Sequence, residues 1–470
     1  MPEFPSVVPP PAVSIVSEPL KNAMVASLLV PFLLATAPQA APRTAVPDEA
    51  APTLLVHAQR LIVRPGEELE NVSLLVQDGR ILAIGKDLEA PSGARTLESQ
   101  VVCAGFIDPW STLAVEEESV GDQRADAGTR TVDALDPFEA APSLEEALRG
   151  GVTSARVQAA TQAQIGGMGA LIRTHGGSAI QDIACVSATV GVTRSGRTVD
   201  LFDRVGEVER LQTSLSKAVR YDEERREYRF AIEEWEQAIA KQVEKLEKDF
   251  KKAKKDRDKA KADAEEKDKE HKEEKYKEDK KPSPPKFDAE AEVLARVVRG
   301  ELPLIVEAHR YEELRALLSR TKEFPLLRLV IAGATEAAPL ANELANRNVA
   351  VIVWPSPLGD VRPDEWDAHR LDLAAHLARG GVDVLIGSGG NPDARDLRML
   401  ASTAVGHGLD QQRALAAITE LPARILNAKG RLGVVARGAE ADLVLLDGDP
   451  IDTTARVRYV IARGRVVVEP

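Results

Sequence analysis

Two cysteines, Cys103 and Cys185, are all that the chain contains. They are far apart and neither sits in a CxxC pair, which excludes a disulfide framework and a cysteine-built zinc site. Buried free thiols and one link between the two are both open. Aromatic residues make up only 4% of the sequence, so the core must be aliphatic. No run approaches the roughly 20 apolar residues that a spanning helix needs, which excludes that kind of membrane protein. Positive charge is also short: the net charge of −13 argues against nucleic acid or an anionic membrane as the main partner.

What is present is a chain of 470 residues, 44% hydrophobic, long enough for one large domain and a smaller one. Near the start Lys21 precedes the apolar run Met24–Ala37, and small residues follow to Ala41. That order of basic, apolar and small residues is the pattern of a secretory signal. It predicts an exported protein, periplasmic or extracellular, with 1–45 signal-like or disordered. Pro38 and Pro42 leave the cleavage point open.

Residues 46–104 read as β structure. Val72–Gln77 and Ile81–Ile84 flank Asp78-Gly79, a strong hairpin signal. The C-terminal residues 427–470 mirror this: Ala441–Leu446 reads as a strand, and Val457–Ile461 and Arg465–Val468 flank Arg463-Gly464. Two β-rich ends around a central region predict one small composite β-sandwich. Between them, at 105–205 and 287–426, apolar runs such as Val152–Val157, Leu304–Val306 and Val382–Ile386 alternate with helical patterns, which argues for a parallel sheet or barrel.

Residues 206–286 interrupt that rhythm. Tyr228, Ile232, Trp235, Ile239, Val243, Leu246 and Phe250 recur at three- and four-residue steps, an amphipathic helix stripe. Residues 241–280 then hold 16 Lys/Arg and 14 Asp/Glu. This balance offers little attraction for phosphate. The segment reads as a charged helix or helical hairpin projecting from the barrel, a spacer or a partner-binding arm.

The stretch Leu421–Leu426, followed by Gly430-Arg-Leu-Gly-Val-Val-Ala-Arg-Gly-Ala-Glu-Ala-Asp-Leu-Val-Leu445, resembles the end of amidohydrolase-superfamily chains. Val101–Asp108, with Gly105-Phe106-Ile107-Asp108, is similar to the entry into the first barrel strand. Gly150–Val157, Ile165–Ala170 and Leu302–Arg310 resemble the imidazolonepropionase-like branch. The resemblance covers roughly 53–205 and 287–470. It implies a TIM-like (β/α)8 barrel with a composite β-sandwich and a site at the C-terminal ends of the strands.

Members of that superfamily hold one or two divalent metals that make hydroxide from water. Carrying the ligand positions over, the first-strand His-x-His pair falls on Trp110 and Thr112. The fifth-strand histidine falls on Glu307, with His309 retained beyond it. The sixth-strand histidine falls on Gly333 and the eighth-strand aspartate on Gly389. No bridging lysine is identifiable around 182–192. Together these changes leave no recognisable metal set, so no cofactor is expected.

Three functions follow from this. The first is a pseudo-hydrolase that binds a small molecule or protein. The second is an exported hydrolase of non-peptide carbon–nitrogen bonds with a rearranged zinc site, for which Asp108, Glu307 and His309 are the weak catalytic and metal candidates. The third is a subunit of a homo- or hetero-oligomer joined through the arm.

Overall fold

The computed structural model describes residues 52–115, 126–136, 138, 141–158, 163–191, 201–263, 280–355, 368–389 and 393–470. The export segment at 21–41 therefore lies outside the described residues. So does the end of the charged stretch, 264–279.

Fifteen strands are found among the described residues. From the N-terminal end come β1 (Leu54–Arg64), β2 (Glu67–Gln77), β3 (Arg80–Gly85) and β4 (Arg95–Ala104). The middle supplies β5 (Phe106–Ser111), β6 (Val152–Val157), β7 (Ile165–Arg173), β8 (Ala179–Thr189), β9 (Leu304–Ala308), β10 (Leu329–Gly333), β11 (Ala350–Val353) and β12 (Val384–Ile386). The C-terminal end adds β13 (Leu443–Leu446), β14 (Val457–Ala462) and β15 (Arg465–Val468).

The two chain ends form one seven-stranded sheet, in the order β15-β14-β13-β4-β1-β2-β3. The join is antiparallel, with Val444 opposite Cys103 and Leu443 opposite Ala104. Both hairpin turns have the left-handed backbone that two-residue loops favour, at Asp78 and Gly79 and at Arg463 and Gly464. The sheet curls until these turns touch: a Cβ on Gly464 would lie 3.0 Å from the Gly79 Cα. The sandwich read from sequence is thus one curled sheet, closed over Leu54, Val56, Leu74, Val76, Leu443 and Leu445.

The middle strands form an eight-stranded sheet in the order β5 to β12. Its two edges meet through side chains: the Ser388 N–H donates to Asp108 Oδ1 at 3.1 Å, and the Ser388 hydroxyl to the Trp110 carbonyl at 3.1 Å. Neighbouring strands are parallel except around β7, which is antiparallel to both β6 and β8. The sequence pattern had pointed to parallel strands, but only 158–164 and 174–178 connect β7 to its neighbours. A parallel crossover needs a dozen residues or more, so these links allow only hairpins.

Alternation along the strands divides the barrel core. Ile305, Val330, Ala332, Ile352, Leu385 and Cys185 fill the interior, and Leu304, Val306 and Ile331 face the helices. Both cysteines are free and buried, and burial pushes the Cys103 thiol up to about 12.

Helix α1 (Ala141–Arg149) precedes β6, and α2 spans Leu201–Asp263 as one continuous helix. Its first turns belong to the barrel's outer layer. Val208, Leu211, Leu215 and Ala218 are buried in the main core, and the helix packs on α3 (Ala289–Val298) and α4 (Tyr311–Arg320). Beyond Tyr221 its side chains are increasingly exposed, with Phe250 at 72%.

Candidate functional site

Period-two alternation aims Glu307 of β9 along the same inner face as Ile305, and His309 follows on that face just beyond the strand. His309 Nε2 lies 3.4 Å from Glu307 Oε1, and Nδ1 lies 2.8 Å from Thr335 Oγ1. Its backbone is held from behind. Glu313 of α4 accepts the His309 and Arg310 N–H groups at 3.1 and 3.0 Å, and pairs with Arg204 of α2 at 3.0 Å. Burial raises the Glu313 pKa, and its hydrogen bonds and Arg204 oppose that rise.

Asp108 lies at the seam between β5 and β12 and is fully buried. Oδ1 accepts the Trp110 N–H at 3.0 Å and the Ser388 N–H at 3.1 Å, while Oδ2 has no hydrogen-bond partner. Burial pushes this carboxyl from 3.8 up to about 6, against the hydrogen bonds from Ser388 and Trp110 and the charge of Arg156.

Aromatic rings occupy the space between these groups. Trp110 and Trp354, at the ends of β5 and β11, stack with centroids 5.9 Å apart and planes 23° apart. His309 meets Trp354 edge-on at 5.9 Å, and the Arg156 guanidinium lies 4.7 Å from the Trp110 centroid.

Glycines make this packing possible. Gly333 has φ +84, and a Cβ there would stand 2.3 Å from His309 Cε1. Gly389 has φ +79, and a Cβ there would stand 3.1 Å from Trp354 Cγ. The His309 ring thus fills the room that a side chain at 333 would need, and Trp354 crowds the room at 389. Thr112, the last expected ligand position, follows β5 half-buried, its carbonyl accepting the Val115 N–H at 3.1 Å.

The donors among the described residues do not fit a metal of the family's kind. Among the described residues no three His, Cys, Asp or Glu side chains are gathered as a metal would require. Glu307 and His309 are paired, while one oxygen of Asp108 is committed to two backbone N–H groups.

Sequence reasoning missed Arg156 and Trp354. Arg156 is 1% exposed inside β6. Its Nε donates to Cys185 Sγ at 3.3 Å, and Nη2 to Gln158 Oε1 at 3.3 Å and to Ser187 Oγ. All these partners are uncharged. A cation inside the otherwise unbroken buried run 152–157 was the available signal.

Comparison with known proteins bears on the fold. The amidohydrolase family model matches residues 392–468. No curated protein sequence matches the chain. An amidohydrolase from Thermotoga maritima MSB8 is similar in structure, with TM-score 0.66 and 22% identity over 89% of this chain and 100% of that one. A molinate hydrolase gives 0.52 and 17%, over 89% and 95%. A putative prolidase from Bifidobacterium longum gives 0.51 and 14%, over 90% and 96%. The fold read from the sequence therefore holds, a TIM-like barrel with a composite sheet from both chain ends, similar to that of the solved amidohydrolase, and residues 392–468 match the amidohydrolase family's sequence pattern.

Proposed function

We propose that this protein is an amidohydrolase-like barrel that does not hydrolyse by the metal-dependent route, and that it serves as a binding protein for a small molecule or another protein. The observation that carries this reading is the Trp110–Trp354 stack, with Arg156 on one side and His309 on the other. Of the expected ligand positions, Trp110 and Gly389 pack on Trp354, and Glu307 and Gly333 lie against His309, instead of presenting lone pairs to a common point. Gly333 and Gly389 are complementary to that packing, because a side chain at 333 would collide with His309 and one at 389 would be crowded by Trp354. A panel of amide, carbamate and cyclic imide substrates, assayed with excess zinc and again after chelation, tests it. The reading expects no metal-dependent turnover with any of them; turnover that chelation abolishes and zinc restores contradicts it.

A second reading has its own support. Asp108 has a raised pKa and an oxygen without a partner, and Glu307 lies beside His309, features common to sites that move protons. On this reading the protein hydrolyses a carbon–nitrogen bond, with Glu307 as general base and His309 as proton donor. Glu307→Gln then removes turnover while leaving the thermal midpoint unchanged. Equal turnover in the variant and the parent rules out those roles.

A further inference from the structure

Beyond the barrel, α2 continues as an arm whose base is fixed. Tyr221 is buried and its hydroxyl donates to Glu292 of α3 at 2.8 Å, while Asp222 pairs with Arg299 at 2.5 Å and Arg226 at 3.0 Å. Lys281, on the chain returning to the barrel, sits 5.5 Å from the Trp235 ring centroid. Further out, Val243 and Leu246 are each 49% exposed and Phe250 72%. Exposed apolar side chains in a row on a projecting helix need a partner.

The spacing of the row identifies one. Tyr228, Ile232, Trp235, Ile239, Val243, Leu246 and Phe250 are separated by steps of 4, 3, 4, 4, 3 and 4. This is an 11-residue repeat, and at 100° per residue the seven positions fall within an arc of about 80° on a straight helix. The row also reads the same in both directions about Ile239. Two copies related by a two-fold axis through Ile239 would set Ile239 against Ile239, Trp235 against Val243, Ile232 against Leu246 and Tyr228 against Phe250.

Charge selects the same arrangement. Residues 223–239 hold six acidic and three basic side chains; residues 240–256 hold four acidic and seven basic. Antiparallel pairing lays the acidic half of each arm on the basic half of the other, whereas parallel pairing lays like on like. The helix bases would then stand about 50 Å apart at 1.5 Å per residue, with the barrels at opposite ends of the paired arms.

We propose that the arm is a self-association device, pairing two copies of this chain antiparallel through the stripe 228–250 about a two-fold axis at Ile239. This site is separate from the barrel mouth and does not depend on the function assigned there.

The test uses the full chain. Light scattering at tens of micromolar should give twice the chain mass, and Leu246→Lys, at an exposed position, should return the single mass with unchanged helix content. Cysteine variants then read the register, since both native thiols are buried. Ile239→Cys should cross-link to itself on oxidation. Leu246→Cys should not, but should cross-link to Ile232→Cys when the two are mixed. A single-chain mass for the parent overturns the proposal. So does efficient self-cross-linking of Leu246→Cys, which would mean parallel arms, or a double mass that Leu246→Lys leaves intact.

Discussion

Two buried arginines on adjacent antiparallel strands show how differently this fold treats positive charge. Arg173, at the end of β7, donates to both oxygens of Asp442, at 2.8 and 3.1 Å, and to Glu440. Arg431 closes the group on Glu440 at 2.6 Å. Burial raises the Asp442 pKa although Arg173 opposes it. At Glu440 burial pushes upward too, but Arg173 and Arg431 overcome it and hold the carboxyl below its usual range. This network ties the barrel to the curled sheet. Arg156, inside β6, has hydroxyl, thiol and amide partners and the face of Trp110. The first arginine joins two structural units; the second belongs to the aromatic packing at the barrel mouth. Burial by itself does not say what a charge does; its partners do.

The largest expected effect breaks the paired arginine. Arg173→Met leaves Glu440 and Asp442 with less compensation and should cost roughly 3–5 kcal/mol, read from the denaturant midpoint. A loss under about 1 kcal/mol would mean that the network does not join the units.

Next comes an attempt to restore a family ligand. Gly389→Asp sets a side chain at φ +79 against Trp354 and should cost about 2–4 kcal/mol from strain and crowding. In a Trp354→Ala background the crowding is relieved, so the same substitution should cost measurably less there. Equal costs in both backgrounds would show that Trp354 does not occupy that space.

Asp108 sharpens the contrast through pH. Its carboxyl titrates near 6 when folded and near 3.8 when unfolded, so the folded state binds the extra proton between those values. Stability from this group is present below pH 4 and lost as pH rises through 6, by up to roughly 3 kcal/mol. Asp108→Asn cannot ionise, so its stability relative to the parent should improve from pH 4 to pH 8. A difference that stays flat with pH removes Asp108 as a buried titrating group.

The smallest change is expected at the unpaired arginine. Arg156→Met breaks no hydrogen-bonded ion pair, takes from Asp108 only the smallest of the influences that favour its charged form, and keeps volume beside Trp110, so it should cost no more than about 1 kcal/mol. Tryptophan emission should report the lost guanidinium. A cost matching that of Arg173→Met would erase the distinction between the two.

Local chemistry was legible in the sequence. The turns at Asp78-Gly79 and Arg463-Gly464 announce their hairpins because the backbone they require is encoded in two residues. The buried run 152–157 marks β6 to the residue. Strand β8 was not legible: Gln181 and Asp182 break its apolar pattern, and its place in the barrel comes from pairing with β7 and β9. Because beyond Phe250 there is no apolar row to read, the charged stretch left open whether a single helix or a hairpin would form; α2 runs unbroken from 201 to 263. At the mouth, the changes at Trp110, Gly333 and Gly389 could be read one position at a time. That Trp354 and His309 fill the space beside those glycines could not, because residues from different strands meet there only on folding.

The central claim is that packing, not metal coordination, organises the barrel mouth. Elemental analysis of the purified protein after zinc loading and desalting tests it directly. The account predicts zinc far below one equivalent per chain, in the parent and in Glu307→Gln alike. One equivalent or more in the parent, lost in Glu307→Gln, would contradict it and make Glu307 and His309 ligands.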